Sequence, residues 1–320
     1  MKIFTVGCGR WGTFISWYLD SIGHDVTLYG REWDEAMQAL IKNRTNGLVT
    51  LTETMKLSTR LEDMKDADVV VISIGSQGLS AFMDTVKALE LKNKTFVLCM
   101  KGIEIGTGKR LSEIVTEHLD ESCSVAVWIG PGHVQEFTKG RPNCMVIDST
   151  SDSVKRTLVE AFSSNLIRFY YGTDLIGNEV GAAAKNVIGI AAGILDGLGL
   201  TSLKGALMAR APREISRLVS CMGGDPVSVY GLCHLGDYEA TVFSAHSHNR
   251  RFGECLVTGG EAGGLAEGYY TAKALVELGE RYNIDLPICR AVYSVLYLGA
   301  DVKEEMDALF ARSLKYEFGE

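Results

Sequence analysis

Proline is scarce in this chain, with 5 in 320 residues, and aromatic residues make up only 8%. With an ordinary apolar share of 46%, that scarcity excludes a collagen-like, proline-rich or low-complexity polymer. Basic charge is also lacking: 32 Lys and Arg stand against 40 Asp and Glu, a formal net charge of −8. Proteins that grip long nucleic acids show the opposite balance, so no nucleic-acid partner is expected. A small anionic ligand needs only a local positive pocket and is not excluded. No run approaches the roughly 18 apolar residues that cross a bilayer, so no membrane span is expected. The eight cysteines form no C-x-x-C pair, and the six histidines show no ligand spacing. The cysteines read as reduced, buried small hydrophobes, and no metal site is expected. Met1 runs straight into Lys2–Val6 with no basic leader, which makes the cytoplasm the expected compartment.

What is present has a clear order. Short apolar runs predict strands at Lys2–Val6, Asp25–Tyr29, Ala67–Ile74, Thr95–Met100, Ser124–Ile129 and Cys144–Ile147, with a helical pattern over Trp11–Ile22. Continuously apolar strands separated by helices imply an α/β unit, a doubly wound parallel sheet covered on both faces. From about residue 179 the pattern changes to long Ala-, Gly- and Leu-rich segments at helical spacing: Glu179–Gly197, Lys204–Met222, Ala272–Tyr282 and Pro287–Gly299. The predicted division is residues 1–178 for the sheet domain and 179–320 for a mostly α-helical one, with the ligand in the cleft between them.

Gly7-Cys8-Gly9-Arg10-Trp11-Gly12 follows the first strand and opens the first helix. In that context G-x-G-x-x-G is a dinucleotide fingerprint. Gly7 permits the turn, Gly9 lets the backbone approach a pyrophosphate, and Gly12 lets helix and strand pack closely. The end of the second strand, Leu28-Tyr29-Gly30-Arg31, carries no carboxylate for a ribose. Arg31 there, with Arg10 in the loop, favours or tolerates the extra phosphate of NADP, while Glu32 keeps NAD open. Lys185 lies in a small, apolar helix (EVGAAAKNVIGIAAGILDG), where a dry site lowers an amine pKa and makes it a base. Lys101 ends a strand on the ligand side of the sheet, as does the run Gly130-Pro131-Gly132-His133. Asp237 is placed to orient an ammonium, and Ser247-His248-Asn249-Arg250-Arg251 offers donors to a phosphate.

These segments (GCGRWGT, ADVVVISIGSQ, KGIE, IGPGHVQE, GAAAKNVIGIAAGILDGLGL, GLCHLGD, SHNRRFG and PICRAVYSVLY) resemble the NAD(P)-dependent glycerol-3-phosphate dehydrogenase family almost end to end. The resemblance implies a Rossmann domain followed by a helical substrate domain, NAD or NADP as cofactor, and interconversion of sn-glycerol 3-phosphate and dihydroxyacetone phosphate. Carried over by position, Lys185 is the general base, and Lys101 contacts both substrate and cofactor. Asp237, Asn186 and Thr241 complete the reacting end, and Asn249 binds the substrate phosphate. Gly130, Gly132, Ser247 and His248 occupy the remaining substrate-contact positions. The cofactor positions are Gly7, Gly9, Arg10, Trp11, Gly12, Arg31, Lys101, Val134, His248, Leu265 and Glu267. The family likeness and the Gly/Ala-rich helical half also allow a homodimer.

Departures from the family pattern fall on recognition. The family's G-P-S-F-A stands here as Gly130-Pro131-Gly132-His133-Val134, without the serine hydroxyl. The arginine of S-R-N is His248, the serine of the glycine loop is Arg10, and a D-N pair is Thr201-Ser202. Losing a bidentate phosphate contact costs about 1.5–3 kcal/mol unless it is replaced, and Arg250 or Arg251 is the expected replacement. The alternatives are a sister dehydrogenase acting on a related phosphorylated or anionic secondary alcohol, and a dinucleotide-binding sensor without turnover.

Overall fold

The computed structural model describes residues 1–261, 263–264, 266–314 and 316–317. Eight strands form one sheet: β1 (Lys2–Val6), β2 (Asp25–Tyr29), β3 (Lys56–Ser58), β4 (Val69–Ile72), β5 (Thr95–Leu98), β6 (Ser124–Ile129), β7 (Asn143–Ser149) and β8 (Ile167–Tyr171). Their order across the sheet is β3-β2-β1-β4-β5-β6-β7-β8. Six helices belong to this part: α1 (Arg10–Ser21), α2 (Glu35–Asn43), α3 (Leu79–Lys87), α4 (Leu111–His118), α5 (Val134–Phe137) and α6 (Asp152–Phe162). In β4 the run Val69–Ile72 is buried throughout, because Val69 and Val71 face one core while Val70 and Ile72 face the other. Burial on both faces is why the strand has no polar alternation.

Two strands escape the sequence pattern. β3 has three residues, too few to display a period of two, and β8 lies at the opposite sheet edge with only alternate residues buried. One pairing also departs from the all-parallel expectation: β6 runs antiparallel to β7, with Trp128 opposite Ile147. The chain between them holds only the four-residue α5. A helix that short covers about 6 Å, against about 20 Å for a six-residue strand. The chain therefore turns back instead of crossing over.

The second half is helical, with α7 (Leu175–Gly197), α8 (Lys204–Cys221), α9 (His248–Thr258), α10 (Glu267–Arg281), α11 (Pro287–Tyr297) and α12 (Val302–Phe310). Residue 178 falls inside the first turn of α7. This helix corrects one expectation: at 23 residues it is long and apolar enough to cross a membrane by length and composition. Here 89% of its most apolar window is buried inside the protein, among α8, α9, α10 and α11. Its small residues serve that packing. A Cβ on Gly193 would stand 1.8 Å from the Arg250 carbonyl oxygen of α9, and one on Gly253 of α9 would stand 2.0 Å from that of Ile190. Two helices approaching so closely tolerate nothing larger than hydrogen at the crossing.

Candidate active site

The glycine loop leaves β1 and enters α1. Gly7 has φ +107°, a left-handed conformation that suits glycine, and Gly12 packs on it so tightly that a Cβ would lie 1.9 Å from the Gly7 oxygen. Gly9 is the N-cap of α1; no side chain caps that end and no acid sits in its first turn. Above Gly9 a Cβ would meet nothing within 4 Å. Free N–H groups, an uncompensated helix dipole and open space over the backbone make a cradle that fits a pyrophosphate. Gly12→Ala is expected to lower stability by about 1–3 kcal/mol or more by overpacking and to abolish dinucleotide binding; urea denaturation and a dinucleotide titration check both.

At the other end of the cleft three charged groups meet. Lys101, just past β5, donates to Asp237 Oδ2 at 2.6 Å and to the Gly130 carbonyl at 2.9 Å. Lys185, in the middle of α7, lies 3.0 Å from the same Asp237 oxygen and donates to Thr241 Oγ1 at 2.8 Å. Asp237 is 1% exposed and Lys185 9%. Burial pushes the Lys185 amine down to about 8, against the pull of Asp237 and with added push from Lys101. Thr241 is delivered by a single π-helical turn, Glu239–Phe243, a local irregularity common at functional sites. Asn186, next on α7, accepts from Asn249 Nδ2 at 3.0 Å and faces the Lys101 carbonyl at 3.4 Å; Asn249 Oδ1 in turn accepts from Gly268 N at 2.9 Å. Lys101, Lys185, Asn186, Asp237, Thr241 and Asn249 thus form one connected cluster.

The other expected residues divide. Glu267 opens α10 and reaches across to accept from Ser76 Oγ at 2.6 Å, with its carboxyl pKa raised by burial. Trp11 packs on Phe14 and Phe137. The side chain of Val134 is buried. Arg31 is mostly exposed, paired with Asp34 at 3.1 Å and lying over the Trp33 ring. Ser247 spends its hydroxyl as the N-cap of α9, accepting from Arg250 N. Leu265 lies outside the described residues. A serine at position 132 is sterically closed off: a Cβ there would stand 2.4 Å from the Phe137 ring.

One expectation is overturned. Arg250 does not replace the missing phosphate contact, because its guanidinium is held by Asp196, by Glu254 at 3.4 Å and by the Ser244 carbonyl at 3.1 Å. That face of α9 lies against the C-terminal part of α7, and Arg251 is exposed. Sequence reasoning placed His133 on the rim but gave it no role. The Lys185 and Asp237 charges both act on its ring, which stacks edge-on against His246 at 5.7 Å, and its buried Nε2 has no hydrogen-bond partner among the described residues. Ser76, the anchor of Glu267, was also missed; a lone serine after β4 carries no sequence signal.

Residues 2–155 match the family model described as NAD-dependent glycerol-3-phosphate dehydrogenase N-terminus, and residues 174–307 match that of the C-terminus. A protein from Pelodictyon phaeoclathratiforme named glycerol-3-phosphate dehydrogenase [NAD(P)+] is 36% identical, with 99% of each chain covered. One of the same name from Thermoanaerobacter sp. is 33% identical, again over 99% of each. The crystal structure of glycerol-3-phosphate dehydrogenase from Coxiella burnetii superposes with a TM-score of 0.91 at 27% identity, covering 97% of this chain and 99% of that one.

Proposed function

The chain belongs to the NAD-dependent glycerol-3-phosphate dehydrogenase family, and from that premise we propose that Lys185 is the base with which it interconverts sn-glycerol 3-phosphate and dihydroxyacetone phosphate. It is an NAD(P)-dependent oxidoreductase acting on a secondary alcohol. The observation that carries the assignment is the buried amine with a pKa of about 8, held between Asp237 and Thr241. A neutral amine has two N–H bonds and one lone pair. Here the two N–H bonds go to Asp237 Oδ2 and Thr241 Oγ1, which leaves the lone pair for the alcohol proton. When bound, the nicotinamide accepts the hydride from the carbinol carbon. In the opposite direction the ammonium gains a third N–H, which donates to the ketone oxygen and returns the proton.

Lys101 adds positive charge beside the oxygen that becomes anionic, and Asp237, accepting from both amines, orients them toward it. Asn186 and Asn249 supply amide donors and acceptors one residue along from the base. The glycine loop, with Arg10, Trp11 and Arg31, is the proposed dinucleotide site. Arg31 stands exposed at the end of β2, its guanidinium paired with Asp34, and its charge supports use of NADP alongside NAD. The proposed units divide near residue 178, and the proposed compartment is the cytoplasm. Exposed Leu298, Phe310 and Tyr316 at the α11–α12 end support a homodimer, which sedimentation equilibrium tests.

The purified protein is expected to reduce NAD+ or NADP+ with glycerol 3-phosphate and not with glycerol, read by nicotinamide absorbance. Dinucleotide binding without reduction by any phosphorylated secondary alcohol would identify a sensor and overturn the reading. Faster turnover of another phosphorylated alcohol would favour the sister-dehydrogenase reading, which the absent hydroxyl at Gly132 and the imidazole at His248 support.

A further inference from the structure

His234 and Tyr238 are both fully enclosed, at 0% exposure, and neither has a part in the chemistry described above. Their rings meet edge to face at 4.9 Å, and the Tyr238 hydroxyl lies 2.6 Å from His234 Nε2. On the other side of the ring, His234 Nδ1 lies 2.8 Å from the Gly181 carbonyl of α7. A carbonyl only accepts, so the ring proton sits on Nδ1, and Nε2 is left to accept from the Tyr238 O–H. Burial pushes the His234 pKa down to about 4, which keeps the ring neutral and this direction of bonding fixed at working pH.

The Gly181 carbonyl has a second duty. In the α-helical ladder it accepts the N–H of the residue four positions on, which is Lys185. Gly181, Lys185, Ile188 and Ala192 follow one another at spacings of four, three and four, so they share one face of α7. The chain from His234 to Val242 runs along that face. His234 bonds at Gly181, Asp237 and Thr241 hold the Lys185 amine, and Tyr238 and Val242 join one apolar cluster with Ile188 and Ala192. The Tyr238 carbonyl also accepts from Thr241 N at 3.0 Å, so a shift of the tyrosine moves the turn that carries Thr241. The far end is pinned by Lys204, which donates to the Val242 carbonyl at 3.0 Å. Gly181 leaves the room for the near end: a Cβ there would stand 3.2 Å from that of His234.

Building on the reading above, we propose that His234 and Tyr238 are positioning residues for the base: the bonds from Tyr238 through His234 to Gly181 set the register of Asp237 and Thr241 against Lys185. Asp237 lies between the two in sequence, three residues after His234 and one before Tyr238, so loosening either lets the carboxylate drift from the amine. Misplacement of a reacting group by about 1 Å costs about 10²-fold in rate. The groups that face the Lys185 amine are Asp237, Lys101 and Thr241, and its charge also acts on the His133 and His234 rings.

The test uses Tyr238→Phe, His234→Asn, His234→Leu and the Tyr238→Phe/His234→Leu double variant. Phenylalanine keeps the packing and loses only the hydroxyl. Asparagine keeps a donor where Nδ1 stands and loses only the contact to Tyr238. Both are expected to lower kcat by about 10-fold, and leucine, which cuts the tie to α7, by about 10- to 100-fold. The KM for glycerol 3-phosphate and the dissociation constant for NAD+ are expected to stay within about threefold. The pH midpoint of oxidation is expected to move to lower pH, because Asp237 then holds the Lys185 proton less tightly. The double variant is expected to match His234→Leu alone, since the two side chains act in series. If His234→Leu does not fold, Tyr238→Phe and His234→Asn carry the test. A lower Tm with kcat and the pH midpoint unchanged would mark a merely structural pair and overturn the proposal, as would additive losses in the double variant. Absence of turnover in the unmodified protein would instead count against the function itself.

Discussion

Lys185→Ala is expected to lower kcat for glycerol 3-phosphate oxidation by about 10²–10⁴-fold, the range that a positioned general base supplies. The dinucleotide is expected to bind as before, since the glycine loop and α1 do not touch this side chain. Magnitude decides why the site uses this lysine. At pH 7.5 an amine with a pKa of about 8 is neutral in about a quarter of molecules, whereas one at the ordinary 10.5 would be neutral about 240-fold less often. Burial on an Ala/Gly-lined helix thus supplies two orders of magnitude before any question of orientation. Truncation also leaves a cavity beside Thr241, so Lys185→Met is the companion variant: it keeps the volume, removes the lone pair, and is expected to lose as much turnover with less loss of Tm. Stopped-flow measurement of the first turnover, with dinucleotide affinity measured separately, distinguishes a lost base from lost binding. A Lys185→Met protein within tenfold of the original would remove the base from the account.

Asp237→Asn is the second large effect. One oxygen, Oδ2, accepts from Lys101 at 2.6 Å and lies 3.0 Å from Lys185 in a site that is 1% exposed. The amide is nearly the same size, but it leaves two cations facing each other without a counter-charge. Removing one partner from a buried ion pair costs up to about 3–5 kcal/mol. Here the protein has an escape, because Lys185 can give up its proton. Asp237 raises the Lys185 pKa, so its loss moves the titration below about 8. The sign follows for each direction. Oxidation needs the neutral amine, so its pH midpoint moves to lower pH. Ketone reduction needs the ammonium, so its rate at neutral pH falls, about twofold for the first unit of that shift and approaching tenfold for each unit beyond it. Misplacement of Lys101 and Lys185 adds about a further 10²-fold loss in kcat in both directions. Steady-state rates across pH, with thermal melts on the same samples, read the shift and the stability cost separately. An unmoved midpoint would show that the carboxylate is not coupled to the base.

Much of this arrangement is legible in the sequence where the signal is local. β1, β2, β4, β5, β6 and β7 show as apolar runs, and the glycine loop shows as a motif between a strand and a helix. Lys101 is legible because strand ends in a parallel sheet face the ligand, and Lys185 because a charge in an alanine-rich helix has no local partner. What is illegible is pairing at long range. Among 32 basic and 40 acidic residues, nothing local says that Asp196 takes Arg250 and Lys204, or that Arg10 and His248 meet across 238 residues. The reversal of β7 depends on how far a four-residue helix can carry the chain, and β3 is too short to show its periodicity. Ser247 illustrates a different ambiguity: the same serine reads as a phosphate donor or as a helix cap, and the structure uses it as the cap.

The most direct test of the central claim is the pH dependence of kcat/KM in both directions for the unmodified protein. With Lys185 as the base, glycerol 3-phosphate oxidation rises tenfold per pH unit and levels off above about 8, while dihydroxyacetone phosphate reduction is level below about 8 and falls tenfold per unit above it. Profiles that are flat through that region, or that bend in the same sense in both directions, would contradict an amine that trades one proton with the substrate.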